Sequence, residues 1–258
     1  MTVPRRITAR DNPLLVRLRK LAQEPTAYRQ LGIVWLEGEH LCAALRARGL
    51  AAAQALLSES GWQQPALRDL AGWAPQATVV PDALFKGLGT LQSPARIGFV
   101  IDLPAAPAVD PKAATIVLDR VQDPGNVGSI LRSASAFGVA QVLALEGTAA
   151  LWSAKVLRAA QGAHFGLTLV ERLDRAALDL MQVPLLATDA HAGESLPDAD
   201  LPWPCAWTFG HEGQGVDAAL AARAQRRVRI PQPGGEESLN VAAAAAVCLF
   251  ECARRRLQ

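Results

Sequence analysis

The sequence lacks any apolar run long enough to cross a bilayer as a helix, and it opens with no signal-peptide pattern. A helical membrane protein is thereby excluded, and a reducing, cytoplasmic setting is the default expectation. Charge of either sign is nearly balanced. Against 26 Lys and Arg stand 24 Asp and Glu, a formal net charge of +2. The chain is no polycation, so any nucleic-acid binding must come from local patches. Cysteine is scarce: Cys42, Cys205, Cys248 and Cys252 form no CxxC and no Cys/His metal spacing. Cys248 and Cys252 stand four apart, as small buried residues on one helix face would. The dinucleotide fingerprint G-x-G-x-x-G is missing too, which disfavours a nicotinamide enzyme.

What is present is ample material for a core. Half of the 258 residues are hydrophobic, enough for one large or two small domains. Residues 1–102 alternate short strand and helix patterns, the mark of a small α/β domain. Residues 103–112, LPAAPAVDPK, carry three prolines and no periodicity, so they read as a semi-rigid linker. Residues 113–258 then read as βαβαβαβ, predicting an α/β domain with a mainly parallel sheet and helices on both faces.

The first twenty residues are basic, with Arg5, Arg6, Arg10 and Arg17 among them. They suit either a solvated amphipathic helix, with Leu14, Leu15, Leu18 and Leu21 inward, or a phosphate-facing patch. Asn12-Pro13 fits a cap followed by proline at the first helical position. A further helix is expected at Ser153 to Gln161, carrying Lys155.

Three loops of the second half carry the polar residues of interest. In the first, the buried strand pattern at Thr115 to Leu118 runs into Asp123-Pro124-Gly125-Asn126 and a helix that Gly138 ends. Asn126 is placed to cap that helix. Ile130, Ala134 and Phe137 form its apolar stripe, while Ser129, Arg132 and Ser133 fall on a polar face. Alone, Asn126 and Arg132 read first as a cap and a surface arginine. The second loop, Gly210-His211-Glu212-Gly213-Gln214-Gly215, follows the strand pattern CAWTF. Its glycines permit close backbone approach or positive φ. Glu212 at its tip is either a helix-dipole partner or a functional carboxylate. The third loop follows a strand at Val228 to Ile230. Ser238 or Asn240 then caps a helix with no polar residue from Val241 to Phe250. A helix apolar all round must be covered all round. Either the N-terminal domain or, more economically, a second copy of the chain covers it, which predicts a homodimer.

Taken together, Asn126 to Arg132, FGHEGQGV (Phe209 to Val216) and IPQPGGEESLNVAAA (Ile230 to Ala244) resemble, in order, the three motifs of a known family. It is the SpoU-type (TrmH-family) RNA ribose 2′-O-methyltransferases of the SPOUT superfamily. Residues 1–102 more weakly resemble that family's N-terminal RNA-binding module, best at LEGEHLCAAL (Leu36 to Leu45). The resemblance implies a deep trefoil knot in the second domain. It implies S-adenosyl-L-methionine held by the second and third loops at Gly210, Gly213, Ile230 and Leu239. It implies methyl transfer to a ribose 2′-hydroxyl, with Arg132, Asn126, Glu212, Ser238 and Asn240 as catalytic residues. Arg132 would activate or position the substrate, and Glu212 would orient Arg132 or Asn126. RNA would meet Arg5, Arg6, Arg10, Arg17 and Lys155, with ribosomal RNA the leading target and transfer RNA second. His211 stands where Asn or Ser is usual, and Gln232 where an apolar residue is usual. A non-catalytic RNA-binding protein of the same fold and a base methyltransferase are the alternatives.

Overall fold

The computed structural model describes residues 3–89, 95–234 and 238–257. The chain divides into two compact units: Met1–Ala105 with Trp152–Phe165, and Ala106–Leu151 with Gly166–Gln258.

The first unit holds five strands, β1 (Arg5–Arg6), β2 (Ile33–Glu37), β3 (Gln54–Ser58), β4 (Ala77–Val80) and β5 (Ile97–Asp102). Their order in the sheet is β1-β4-β3-β5-β2, with β5 antiparallel to both neighbours and the remaining pairs parallel. The helix Pro13–Gln23 starts as its sequence predicts. Asn12 accepts a hydrogen bond from the Leu14 N–H at 3.0 Å, and proline fills the first turn. Leu15, Leu18 and Leu21 are buried, while Leu14 is only half-buried. Arg10 and Arg17 are exposed around this helix, and Arg5 and Arg6 on edge strand β1, where Arg6 pairs with Glu59. The helix Ala154–Ala160, capped by Ser153, packs on β2 and on Pro13–Gln23. The stretch carrying exposed Lys155 thus groups with the first unit, although it lies inside the continuous 113–258 domain expected from the sequence.

The second unit is built on β6 (Thr115–Asp119), β7 (Gln141–Leu145), β8 (Thr168–Leu173), β9 (Leu185–Thr188), β10 (Glu194–Ser195), β11 (Ala206–Gly210) and β12 (Arg226–Arg229). The order is β10-β12-β9-β11-β6-β7-β8, and every pairing is parallel. Central strands β6 and β11 are buried along their whole length, which is why TIVL and AWTF show no alternation. Because the sheet is parallel, all carboxyl ends share one rim. The loops after β12, β9, β11 and β6 therefore stand side by side there.

One local expectation is corrected. The helix after β6 spans Pro124–Ala136, and its cap is Asp123, whose Oδ1 accepts from the Asn126 N–H at 2.8 Å. Proline at the first helical position, favoured there, moves the start three residues upstream and frees the Asn126 side chain. The segment Arg175–Leu180 winds as a 3-10 helix.

The last helix, Val241–Arg256, buries Ala245, Cys248, Leu249 and Cys252 and packs beside Pro124–Ala136. Its opposite stripe, Ala243, Val247 and Phe250, is exposed. Its final turn is clamped. Arg255 donates to the carbonyls of Leu196, Pro197 and Ala199 and pairs with Glu251. Arg256 lies 3.7 Å over the Trp203 ring and donates to the Phe137 carbonyl.

Candidate active site

The parallel register sets the site. Gly210 at the end of β11 pairs with Asp119 at the end of β6, so the first and second loops leave the sheet as neighbours. Asp119 is buried and binds the Arg120 guanidinium at 3.0 and 3.1 Å. It also accepts from the Asp217 N–H at 2.7 Å. Arg120, at φ 60°, reaches on to Gln214 at 3.1 Å, and the neighbouring carboxylate raises its pKa further. One buried carboxylate thus ties the far end of the second loop to the first directly, and its Gln214 through Arg120.

Within that loop the chain doubles back on the strand end. Gly215 donates to the His211 carbonyl at 2.8 Å, and a Cβ at Gly210 would lie 2.1 Å from the Gly215 carbonyl carbon. No side chain fits there, and Gly215 itself sits at φ +68°, the left-handed region glycine tolerates. The Nδ1 of His211 accepts from the Gly213 N–H at 3.0 Å. An Asn or Ser oxygen would make the same turn, which explains how histidine stands in for them.

Glu212 is turned toward the first loop. Its carboxylate accepts from the N–H groups of Gln122 (3.2 Å) and Asp123 (3.0 Å) and from the Asn126 amide (3.1 Å). Burial pushes this carboxyl up. The N–H of Asp123, the Asn126 amide, its own N–H and that of Gln122 outweigh burial and hold it below the ordinary glutamate value. The Asn126 Oδ1 in turn accepts from the Asn240 amide at 2.9 Å. Asn240 caps the last helix through its own Oδ1, at 2.9 Å from the Ala242 N–H and 3.3 Å from that of Ala243. Glu212, Asn126 and Asn240 form one chain of hydrogen bonds through all three loops.

Beside this chain lies a cavity of about 370 Å³. Gly210, Gly213, Ile230 and Leu239 line it, with Glu212 and Ser238. Its apolar wall includes Ala187, Val216, Val228 and Ala244. The end of β9 and the loop after it contribute Thr188, Asp189 and His191, which the motif reading missed. The available signal was topological: β9 lies between β11 and β12, so its loop leaves at the same rim. Asp119 and Asp123 were missed as well, since their work is to hold loops. Residues 235–237 of the third loop lie outside the described residues.

Arg132 stands apart. It is exposed on the helix that carries Asn126, does not line the cavity, and makes no hydrogen bond or ion pair among the described residues. Glu212 orients Asn126, and no contact of Glu212 with Arg132 is formed within the chain. Among the described residues no cluster of His, Cys, Asp and Glu could hold a metal ion, and no helix is long and apolar enough to cross a membrane.

A parallel α/β sheet with a glycine-walled cavity at the carboxyl rim defines a small-molecule-binding class of α/β protein. Comparison narrows it. The SpoU rRNA Methylase family model matches residues 113–250. A 23S rRNA (guanosine(2553)-2′-O)-methyltransferase of Bacillus subtilis is 33% identical over 182 residues, 68% of this chain and 71% of that one. A crystal structure described as an RNA 2′-O ribose methyltransferase superposes with a TM-score of 0.82 at 32% identity, covering 98% and 100% of the two chains. The SpoU methyltransferase AviRb of Streptomyces viridochromogenes, in complex with AdoMet, shares the fold with a TM-score of 0.87 at 24% identity, covering 96% of this chain and 99% of that one. The chain belongs to the SpoU rRNA methylase family.

Proposed function

We propose that the protein is an S-adenosyl-L-methionine-dependent enzyme that methylates a ribose 2′-hydroxyl of RNA, with ribosomal RNA as the substrate. The observation that carries this reading is the Glu212–Asn126–Asn240 chain drawn up beside the glycine-walled cavity. The names of the relatives agree with it.

The cavity fits the cofactor. Its volume lies in the range of small-molecule sites. Its aliphatic wall suits a nucleobase, and Gly210 and Gly213 contribute backbone without side chains to the lining. Gly210, Gly213, Ile230 and Leu239 are assigned to holding it. When bound, it supplies an electrophilic methyl on a sulfonium. The protein's task is to hold the hydroxyl oxygen in line with that methyl. Asn126 is locked in one orientation, because its amide donates to Glu212 while its carbonyl accepts from Asn240. Asn126 is assigned to substrate positioning, Glu212 to fixing Asn126, and Ser238 at the cavity edge to the reacting ribose. Arginine stays protonated in proteins, which argues against a role as base. Arg132, exposed with its donors uncommitted, is assigned to the substrate phosphate and to the charge that grows on the 2′-oxygen. With the cofactor bound, the 2′-oxygen would take the methyl as the carbon–sulfur bond breaks and the hydroxyl proton is lost, while Asn126, Ser238 and Arg132 hold the hydroxyl in place.

Residues 1–102 are assigned to RNA binding, through exposed Arg5, Arg6, Arg10 and Arg17, with Lys155 added from 152–165. The exposed stripe of Ala243, Val247 and Phe250 is assigned to a homodimer interface. The deep knot and a cytoplasmic location belong to the same reading, the knot supported by the likeness to SpoU folds.

The test is to map 2′-O-methyl groups on ribosomal and transfer RNA treated with purified protein and methyl-labelled cofactor. Label on a ribose of ribosomal RNA is expected. Label confined to transfer RNA would move the substrate, and a methylated base would overturn the reaction.

A further inference from the structure

The carbonyl oxygen of the Gln232 side chain is buried and has no hydrogen-bond partner among the described residues, and Gln232 lines the cavity. Burying an unpaired acceptor costs about 1–3 kcal/mol, so such an atom calls for a partner. Its surroundings say which kind. Gln232 follows Ile230 by two residues in the loop that leads to Leu239, Val241 and Ala244, all apolar contributors to the same lining. An acceptor in a lining that also offers these aliphatic side chains suits the edge donor of a flat aromatic group.

We propose that Gln232 reads the adenine edge of the cofactor, its Oε1 accepting from the exocyclic 6-amino group. This rests on the cofactor reading above. A primary amide is the side chain that matches adenine: its oxygen accepts from the amine while its nitrogen donates to a ring nitrogen. A purely apolar residue at this position would leave recognition of the amine to backbone alone. Gln232 is therefore a specificity-determining residue of the cofactor cavity, and it acts on base identity.

The experiment is calorimetric binding of S-adenosylhomocysteine and of its 6-deamino purine analogue to the whole protein. Wild type is expected to bind the amino form at least about tenfold more tightly, the factor that one lost hydrogen bond near the low end of its range produces. In Gln232→Met the two ligands should bind within about twofold of each other. Gln232→Glu keeps an acceptor, so it should retain the preference even if the Met variant folds poorly. Equal binding of both ligands by wild type, or an unchanged preference in Gln232→Met, overturns the assignment. Loss of preference in Gln232→Glu overturns it as well. Wild type that binds neither ligand would instead overturn the cofactor reading itself.

Discussion

Asn240 donates its side-chain amide to the Oδ1 of Asn126 at 2.9 Å, joining residues 114 apart in the chain. The same Asn240 uses its oxygen to cap the last helix. One side chain thus serves two ends at once, and the two can be separated. Asn240→Asp keeps the acceptor, and aspartate caps helices as well as asparagine does. Its stability should stay within about 0.5 kcal/mol of wild type while methyl transfer falls at least about tenfold. Asn240→Ala should lose activity and about 1 kcal/mol of stability together. Thermal melts beside initial rates check both.

Arg132 is exposed and makes no hydrogen bond or ion pair among the described residues. Arg132→Ala should therefore melt as wild type does and lose about 100-fold or more in kcat. Arg132→Lys keeps the charge but not the fork of donors, and should recover only part of the rate. A full rate in the alanine variant would remove this residue from the reaction.

Glu212 makes the pH dependence of the site readable. Its pKa in the folded chain lies below its unfolded value, so ionised Glu212 stabilises the fold above the unfolded pKa, about 4.3. That contribution is lost as pH falls through the lower folded value. Melting temperatures of wild type and Glu212→Gln should differ near neutrality and converge in the acid range. A gap that widens on acidification would contradict the geometry.

His211 is replaceable by the residues it imitates. His211→Asn can accept from the Gly213 N–H and should bind S-adenosylhomocysteine within about twofold of wild type. His211→Ala leaves the turn without its acceptor and should bind several-fold more weakly, by about 1 kcal/mol.

The exposed side of the last helix tests assembly. Phe250→Glu places a charge on an apolar stripe without touching the buried face, where Ala245, Cys248 and Leu249 lie. Sedimentation should show a dimer for wild type and a monomer for the variant, with unchanged circular dichroism. A wild-type monomer would refute the interface.

Much of this was legible beforehand, and the reasons are specific. TIVL and CAWTF announced buried strands because both their faces are covered, and the glycine loop after CAWTF marked the cavity because only bare backbone fits at Gly210. The cap of the first-loop helix was misplaced by three residues, since Asp123 and Asn126 are both good caps and local chemistry does not rank them. Only the reach of Glu212 across the rim shows why Asn126 must stay free of capping. The affiliation of 152–165 was illegible for a similar reason: its helix is amphipathic whichever unit it joins, and periodicity does not name the surface it meets. Thr188, Asp189 and His191 carry no motif and enter the cavity only through strand order.

The grip of Arg255 on three carbonyls and the seat of Arg256 over Trp203 fasten the tail at one extremity, while Asn240 fastens it at the other. Loosening either fastening tilts a sixteen-residue lever whose opposite tip carries Asn240, bonded to Asn126. Heat or nicking confined to the last turn can therefore silence the enzyme while its sheet still stands, and inactivation should precede melting.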